Sequence, residues 1–169
     1  MYQKDIECME REALEALQLE RMKALLHTVY NKVDTYKQKF DAIGFNPEEF
    51  NDLAQMSELP FTVKDDLRAA YPYKMFAAPR KDIVRVHSSS GTTGQISVVG
   101  YTQNDLDMWS DCVARALSAA GLSDEDIVQI SYGYGLFTGG LGAHEGVQKL
   151  GATVIPASGG NTNRQVQLL

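Results

Sequence analysis

Ser88-Ser89-Ser90-Gly91-Thr92-Thr93-Gly94 is the most informative segment of this 169-residue chain. It lies between residues 83–86 (IVRV) and 96–99 (ISVV), two apolar alternations that are typical of short strands. Because glycine carries no Cβ, the backbone N–H groups and hydroxyls of such a segment can converge on an anion such as phosphate. A polar hairpin turn that binds nothing has the same composition, so the residues alone leave both interpretations open.

The usual nucleotide-binding motifs do not fit this segment. A Walker loop requires a lysine directly after its last glycine, whereas Gln95 follows Gly94. The segment instead resembles the phosphate loop of the adenylate-forming (acyl- and aryl-CoA synthetase) superfamily, Ser/Thr-Ser-Gly-Thr-Thr-Gly-Lys-Pro. Gln95-Ile96 stands where that pattern has Lys-Pro, so a neutral donor replaces the cation expected to face pyrophosphate.

Four segments further along narrow the resemblance to the phenylacetate–CoA ligase family. They are residues 98–102 (VVGYT), 132–140 (YGYGLFTGG), 151–156 (GATVIP) and 158–162 (SGGNT). The likeness begins near Ile6 and continues to Leu169. Because members of that family are well over twice as long, the resemblance implies that this chain is an N-terminal fragment of such an enzyme.

The composition argues against several other classes of protein. The formal net charge of −6 and the isoelectric point of about 5.0 argue against nucleic-acid binding. No basic run indicates a membrane surface, and no apolar run approaches the ~18 residues of a spanning helix. Cys8 and Cys112 stand far apart, so we expect neither a disulfide framework nor a metal site. The N-terminus lacks the apolar core of a signal peptide, so we expect a cytoplasmic protein.

The N-terminal part of the sequence predicts helices. Apolar residues recur at steps of three and four through the first forty residues, which predicts one helix that Gly44 ends. Two short helices should follow. We expect Asn46 to cap the first of them, and Thr62, with Asp65 three residues later, to cap the second.

The C-terminal part predicts alternating strands and helices. Thr102 carries an N-cap signal for a long helix, and Thr162 begins a final one. Between them, a strand at 127–130, a helix near 140–150 and a strand at 153–155 form a βαβ unit, so these strands should be parallel.

These patterns together predict an α/β fold, which the resemblance identifies as the N-terminal part of the large domain of an adenylate-forming enzyme. We expect a mainly helical segment over residues 1–80 and a truncated α/β segment over 81–169. The second segment carries the phosphate loop, set between two strands, and the aromatic-glycine run. Both segments should be parts of one large domain.

The resemblance implies a ligase with ATP, Mg²⁺ and coenzyme A as its cofactors and substrates. The carboxylate of an aryl acid would attack the α-phosphate of ATP, and the thiol of coenzyme A would then displace AMP. The positions that match the family's nucleotide loop are Ser89, Ser90, Gly91, Thr92, Thr93 and Gly94. We expect Thr92 and Thr93 to supply hydroxyl contacts to the phosphates.

The substrate-binding residues implied by the resemblance are Tyr132, Phe137 and Gly139. Aromatic walls hold a flat aryl ring well, but spacing alone favours core aromatics at a strand end, and only the resemblance favours a substrate site. His87 and His144 receive no catalytic role, because a substrate carboxylate is already ionised near neutral pH. We expect no catalytic residue in this fragment and no turnover from the fragment alone.

Two other functions stay open at this stage. One is a related enzyme that adenylates another aryl acid. The other is a non-catalytic module that self-associates through its helices. The expected small-molecule partners are an aryl acid, ATP and coenzyme A. We also expect the chain to form a homodimer or a larger assembly, and we expect it to bind neither nucleic acid nor membrane.

Overall fold

The computed structural model describes residues 1–89 and 96–168. The helices are α1 (Lys4–Glu7), α2 (Arg11–Lys32), α3 (Asp34–Ala42), α4 (Lys64–Ala69), α5 (Gln103–Ala119), α6 (Gly139–Leu150) and α7 (Thr162–Leu168). The strands are β1 (Ile83–Ser88), β2 (Val98–Thr102), β3 (Ile127–Gln129) and β4 (Thr153–Ile155). Three short 3₁₀ helices span Pro47–Glu49, Leu53–Glu58 and Arg80–Asp82.

The prediction of one helix through the first forty residues is wrong in two places, at residues 8–10 between α1 and α2 and at Val33. This residue has φ −127° and ψ 103°, which lies outside the helical region, and the chain turns there from α2 into α3. The apolar spacing is the same on both sides of the turn, so periodicity alone does not reveal it. The predicted end is confirmed, because α3 stops at Ala42 and Gly44 has φ +67°.

The predicted cap at Asn46 is present, although the helix that it begins is a single 3₁₀ turn. Its side chain accepts a hydrogen bond from the N–H of Glu48. The sequence analysis did not anticipate the next 3₁₀ helix, Leu53–Glu58, which Asp52 caps by accepting from the N–H of Ala54.

The predicted cap of α4 is shifted by one residue. Val63, not Thr62, precedes the helix, and the Asp66 carboxylate accepts a hydrogen bond from its N–H at 2.8 Å. The Thr62 hydroxyl donates instead to the phenol oxygen of Tyr36 on α3. Thr62 does not cap α4, because its hydroxyl bonds to Tyr36 on another helix instead.

The predicted pair of strands around the phosphate loop is confirmed as an antiparallel hairpin of β1 and β2. The second strand begins at Val98, two residues later than expected. Thr102 ends it and caps α5, where Asp105 completes the capping box.

The βαβ unit is confirmed, since β3 and β4 pair in parallel with α6 between them. Helix α6 packs closely against α5 because it presents glycine to that helix. A Cβ at Gly142 would collide with the Trp109 ring, and one at Gly146 would collide with Val113. The close approach places the segment between β3 and α6 beside the end of β1.

Six of the buried apolar residues in the described structure form two separate clusters. Leu26, Phe40 and Phe50 hold the N-terminal helices together, whereas a second cluster lies between α6 and the β3–β4 pair. In the part of the chain that the structure describes, no helix has both the length and the apolar character needed to cross a membrane.

Candidate functional site

Ser89 and Ser97 join the two strands of the β1–β2 hairpin just beyond the last strand pair, Ser88 and Val98. The N–H of Ser89 donates to the carbonyl oxygen of Ser97 at 3.0 Å, and the N–H of Ser97 donates to the Ser89 hydroxyl oxygen at 3.0 Å. Ser89 is therefore part of the base of the predicted phosphate loop. The other predicted nucleotide-binding residues, Ser90, Gly91, Thr92, Thr93 and Gly94, lie outside the described residues, as does Gln95.

A single carbonyl joins the aromatic-glycine segment to the end of β1. The oxygen of Leu136 accepts a hydrogen bond from the N–H of Ser88 at 3.0 Å and one from Nδ1 of His87 at 2.9 Å. Residues 131–138, called here the aromatic loop, are thereby fixed directly beside the base of the predicted phosphate loop. Sequence reasoning brought these two motifs to one site only through the resemblance.

The other side of the aromatic loop is held by α6. The Tyr134 hydroxyl lies 3.1 Å from Nδ1 of His144, and burial raises the pKa of this phenol above its ordinary value. The start of the helix also lies against the loop backbone, because a Cβ at Gly140 would stand 2.5 Å from the carbonyl oxygen of Gly133. The loop is thus anchored from both the strand and the helix.

The two predicted aryl-binding rings lie on the outer side of the aromatic loop. Tyr132 and Phe137 are each 54% exposed, and their ring centroids are 6.4 Å apart with a 40° tilt. Gly139 lies under the first ring, because a Cβ there would stand 2.7 Å from Cε1 of Tyr132. The three predicted residues are therefore together, and neither ring is a core residue.

These rings form an open surface rather than an enclosed pocket in the described structure. Leu136 adds a third exposed apolar side chain beside them. A cavity of about 620 Å³ lies elsewhere, between α2 and β2, where Val29, Phe76 and Gly100 contribute to its lining. An aryl ligand on the aromatic loop would need further protein, or a second chain, to enclose it.

His87 occupies the centre of the junction between the hairpin and α5. It is 2% exposed, and its ring meets Tyr101 and Trp109 edge-on at centroid distances of 5.4 and 5.8 Å. The sequence analysis gave this histidine no catalytic role and did not anticipate its bond to the aromatic loop. Its position directly before the serine run was the available signal.

An ion pair beside this junction also links β1 to α6. The Arg85 guanidinium makes two hydrogen bonds to the Glu145 carboxylate, and this partner raises the pKa of the arginine above its ordinary value. Over residues 1–89 and 96–168, no group of three His, Cys, Asp or Glu side chains is placed to hold a metal ion.

No protein-family model matches the chain. It is nevertheless similar along nearly its whole length to proteins named phenylacetate-coenzyme A ligase. The one from Escherichia coli K12 is 53% identical over 97% of this chain, the one from Pseudomonas putida is 53% identical over 94%, and the one from Thermus thermophilus is 51% identical over 100%. The chain spans 38%, 36% and 38% of these relatives, respectively.

Solved structures of 2-hydroxyisobutyryl-CoA ligase have the same fold as this chain. The open conformation, bound to 2-HIB-AMP and CoA, superimposes with a TM-score of 0.85 at 25% identity over 95% of this chain and 39% of its own. A structure in the thioesterification state gives a TM-score of 0.86 at 27% identity. The fold is therefore that of the N-terminal part of an adenylate-forming CoA ligase.

Proposed function

We propose that this chain is the N-terminal part of a phenylacetate–CoA ligase, an AMP-forming acid–thiol ligase. The support is an identity of 51–53% to relatives that carry this name, together with a matching fold. The chain spans less than two fifths of those relatives, so the activity belongs to a longer protein.

The proposed reaction has two steps. A carboxylate oxygen of phenylacetate attacks the α-phosphorus of ATP, which forms the acyl-adenylate and releases pyrophosphate. The sulfur of coenzyme A then attacks the acyl carbon, loses its proton, and displaces AMP to give phenylacetyl-CoA. Since the acid is already ionised at neutral pH, the first step requires no general base.

The observation that carries the proposal is the shared carbonyl of Leu136. Adenylation requires an acid site and a triphosphate site whose reacting atoms come within about 3–3.5 Å. The bonds from Ser88 and His87 to this one oxygen hold the candidate acid-binding loop beside the end of β1, at the base of the candidate phosphate loop.

In this proposal the residues of the phosphate loop hold the departing pyrophosphate. Backbone N–H groups and hydroxyls that are fixed in advance stabilise developing charge without reorganising. The residues assigned to this role are Ser89, Ser90, Gly91, Thr92, Thr93 and Gly94. Mg²⁺, also a proposal, arrives on the ATP phosphates, as is usual for this ion.

The aromatic loop forms one wall of the proposed aryl pocket. Tyr132 and Phe137 offer ring faces and edges to the substrate, and Gly139 lets the Tyr132 ring lie directly against the start of α6. We further propose that the whole enzyme is a cytoplasmic homodimer.

Turnover measured on two lengths of the protein tests this proposal. The full-length enzyme, given phenylacetate, ATP, Mg²⁺ and coenzyme A, should produce AMP and phenylacetyl-CoA in equal amounts. The 169-residue chain alone should produce neither. Calorimetric titration of the 169-residue chain with magnesium–ATP then shows whether this part of the enzyme binds nucleotide by itself.

The control is a set of other acids offered to the same full-length enzyme. A clear preference for a different aryl acid would reject phenylacetate as the substrate while keeping the reaction class. Absence of AMP formation with every acid would reject the ligase proposal.

A further inference from the structure

The structure shows which nitrogen of the His87 imidazole carries a proton. A carbonyl oxygen can only accept, so Nδ1 must carry the proton in its 2.9 Å contact with Leu136. The choice of tautomer in a histidine is set by such a bond. His87 therefore acts toward the aromatic loop as a donor.

The surroundings of His87 hold the ring in one orientation. Tyr101 from β2 and Trp109 from α5 meet it edge-on and also stack on each other at 5.3 Å. A ring that is 2% exposed and wedged between two aromatic side chains has little freedom to turn. The donor at Nδ1 is therefore fixed in direction as well as in identity.

The other ring nitrogen is not used within the described residues. Nε2 is buried and has no hydrogen-bond partner there. Leaving a buried nitrogen without a partner costs free energy, which an apolar ring of similar size would avoid. Among the described residues, the bond that an apolar ring could not make is the one from Nδ1 to the Leu136 carbonyl.

We propose that His87 is a positioning residue that holds the aromatic loop against the end of β1, where the predicted phosphate loop begins. It acts through the backbone of Leu136, next to the bond that Ser88 makes to the same oxygen. The expected effect on ligase kinetics rests on the proposed function, whereas the expected loosening of the aromatic loop does not. It assigns His87 no proton transfer.

The kinetic consequence concerns the acid more than the nucleotide. Without the His87 bond, the aromatic loop would keep only the Ser88 contact to β1. A small displacement of bound phenylacetate away from the α-phosphate costs up to ~100-fold in rate, because near-attack geometry is lost. We expect a smaller effect on the nucleotide, because the bond from His87 is made to the aromatic loop.

The test compares His87→Phe with His87→Asn in the full-length protein. Phenylalanine keeps the ring and removes the donor, whereas the asparagine amide places a donor near the position of Nδ1. We expect His87→Phe to lower kcat/KM for phenylacetate about 10- to 100-fold with little change in the KM for ATP. His87→Asn should recover most of that loss.

Hydrogen–deuterium exchange provides a readout that does not depend on activity. In His87→Phe, amides 131–137 should exchange about tenfold faster, while amides of α6 keep their protection. His27→Phe is the matched control, because His27 is exposed on α2 and far from the hairpin in sequence. It should change neither readout.

Three outcomes would overturn the inference. They are unchanged exchange of the aromatic loop in His87→Phe, equal impairment of the phenylalanine and asparagine variants, and a ¹⁵N spectrum of the unmodified protein with the proton on Nε2. The last needs no substitution and so does not depend on whether a variant folds. An unmodified enzyme without ligase activity would reject the proposed function, and the exchange result would still decide the role of His87.

Discussion

At the scale of single residues, Phe137 is an apolar ring that remains half-exposed although its loop is well anchored. If it forms a wall of the aryl pocket, Phe137→Ala should raise the KM for phenylacetate about tenfold, since partial burial of a large side chain contributes roughly 1–2 kcal/mol. Steady-state kinetics of the full-length enzyme measure this. Phe61→Ala is the control, because Phe61 is 88% exposed and distant from the loop in sequence.

Gln95 is the position at which the phosphate loop departs from its family pattern. A lysine there would place a positive charge near the leaving pyrophosphate, so Gln95→Lys should raise the adenylation rate of the full-length enzyme. Pyrophosphate exchange measures that step alone. Gln95→Met, which has similar length but no charge, should not raise the rate; an equal rise in both variants would contradict the electrostatic explanation.

Gly146 tests the packing of α6 against α5. A methyl group there would overlap Val113, including its Cβ, and the neighbouring backbone leaves little room for adjustment. Overpacking costs about 1–3 kcal/mol, which exceeds the gain of up to ~1 kcal/mol from replacing a helical glycine. Gly146→Ala should therefore lower the free energy of unfolding in urea. Gly159→Ala, where a Cβ meets nothing within 4 Å, should leave it nearly unchanged.

At the scale of elements, Asp66 holds α4 against α3. Hydrogen bonds from Lys39 and from the N–H of Val63 keep the pKa of this carboxyl below its ordinary value of 3.8. Because the pKa is lower in the folded state, this stabilisation is complete above the ordinary pKa and is lost as the pH falls through the folded one.

Asp66→Asn should therefore destabilise the chain near neutral pH and make little difference in acid. The gap between its midpoint of unfolding and that of the unmodified chain should close as the pH falls below the ordinary carboxyl pKa of 3.8 and through the lowered folded one. Asp65→Asn is the matched control. Its side chain is 84% exposed and pairs with Arg68 at the surface, so we expect almost no effect at any pH.

Several elements whose signals are local were predicted correctly from the sequence. The capping box at Thr102 and the positive φ at Gly44 depend on neighbours within a few residues, and both are present. Val33 and Thr62 were misassigned because distant groups decide them. The spacing of apolar and capping residues reveals neither the turn at Val33 nor the bond from Thr62 to Tyr36.

The same distinction applies to the candidate site. The serine–glycine segment and the aromatic rings are side-chain patterns, so both could be proposed from the sequence, and their binding roles stay predictions. Their connection through Leu136 is made by a backbone oxygen, which every residue carries, and no sequence pattern could reveal it. The division into segments 1–80 and 81–169 stays a prediction.

At the scale of the whole molecule, the described sheets are two pairs of strands with uncovered edges. Val84 and Val86 project from one face of β1 and are 56% and 40% exposed. Unpaired edges and exposed apolar faces favour association, so we expect the 169-residue chain to sediment as a dimer or larger species. Replacing both valines by threonine should shift it toward monomer, and a strictly monomeric original chain would contradict the expectation.

The anchor of the aromatic loop leaves the Leu136 side chain free to vary. Its carbonyl makes the contacts to β1, while the side chain is 64% exposed beside the two aromatic rings. Replacements at this position can therefore reshape the surface offered to the acid without loosening the loop. Saturation mutagenesis at codon 136 is a practical route to ligases that accept bulkier or more polar acids, since the backbone there tolerates diversity that selection can exploit.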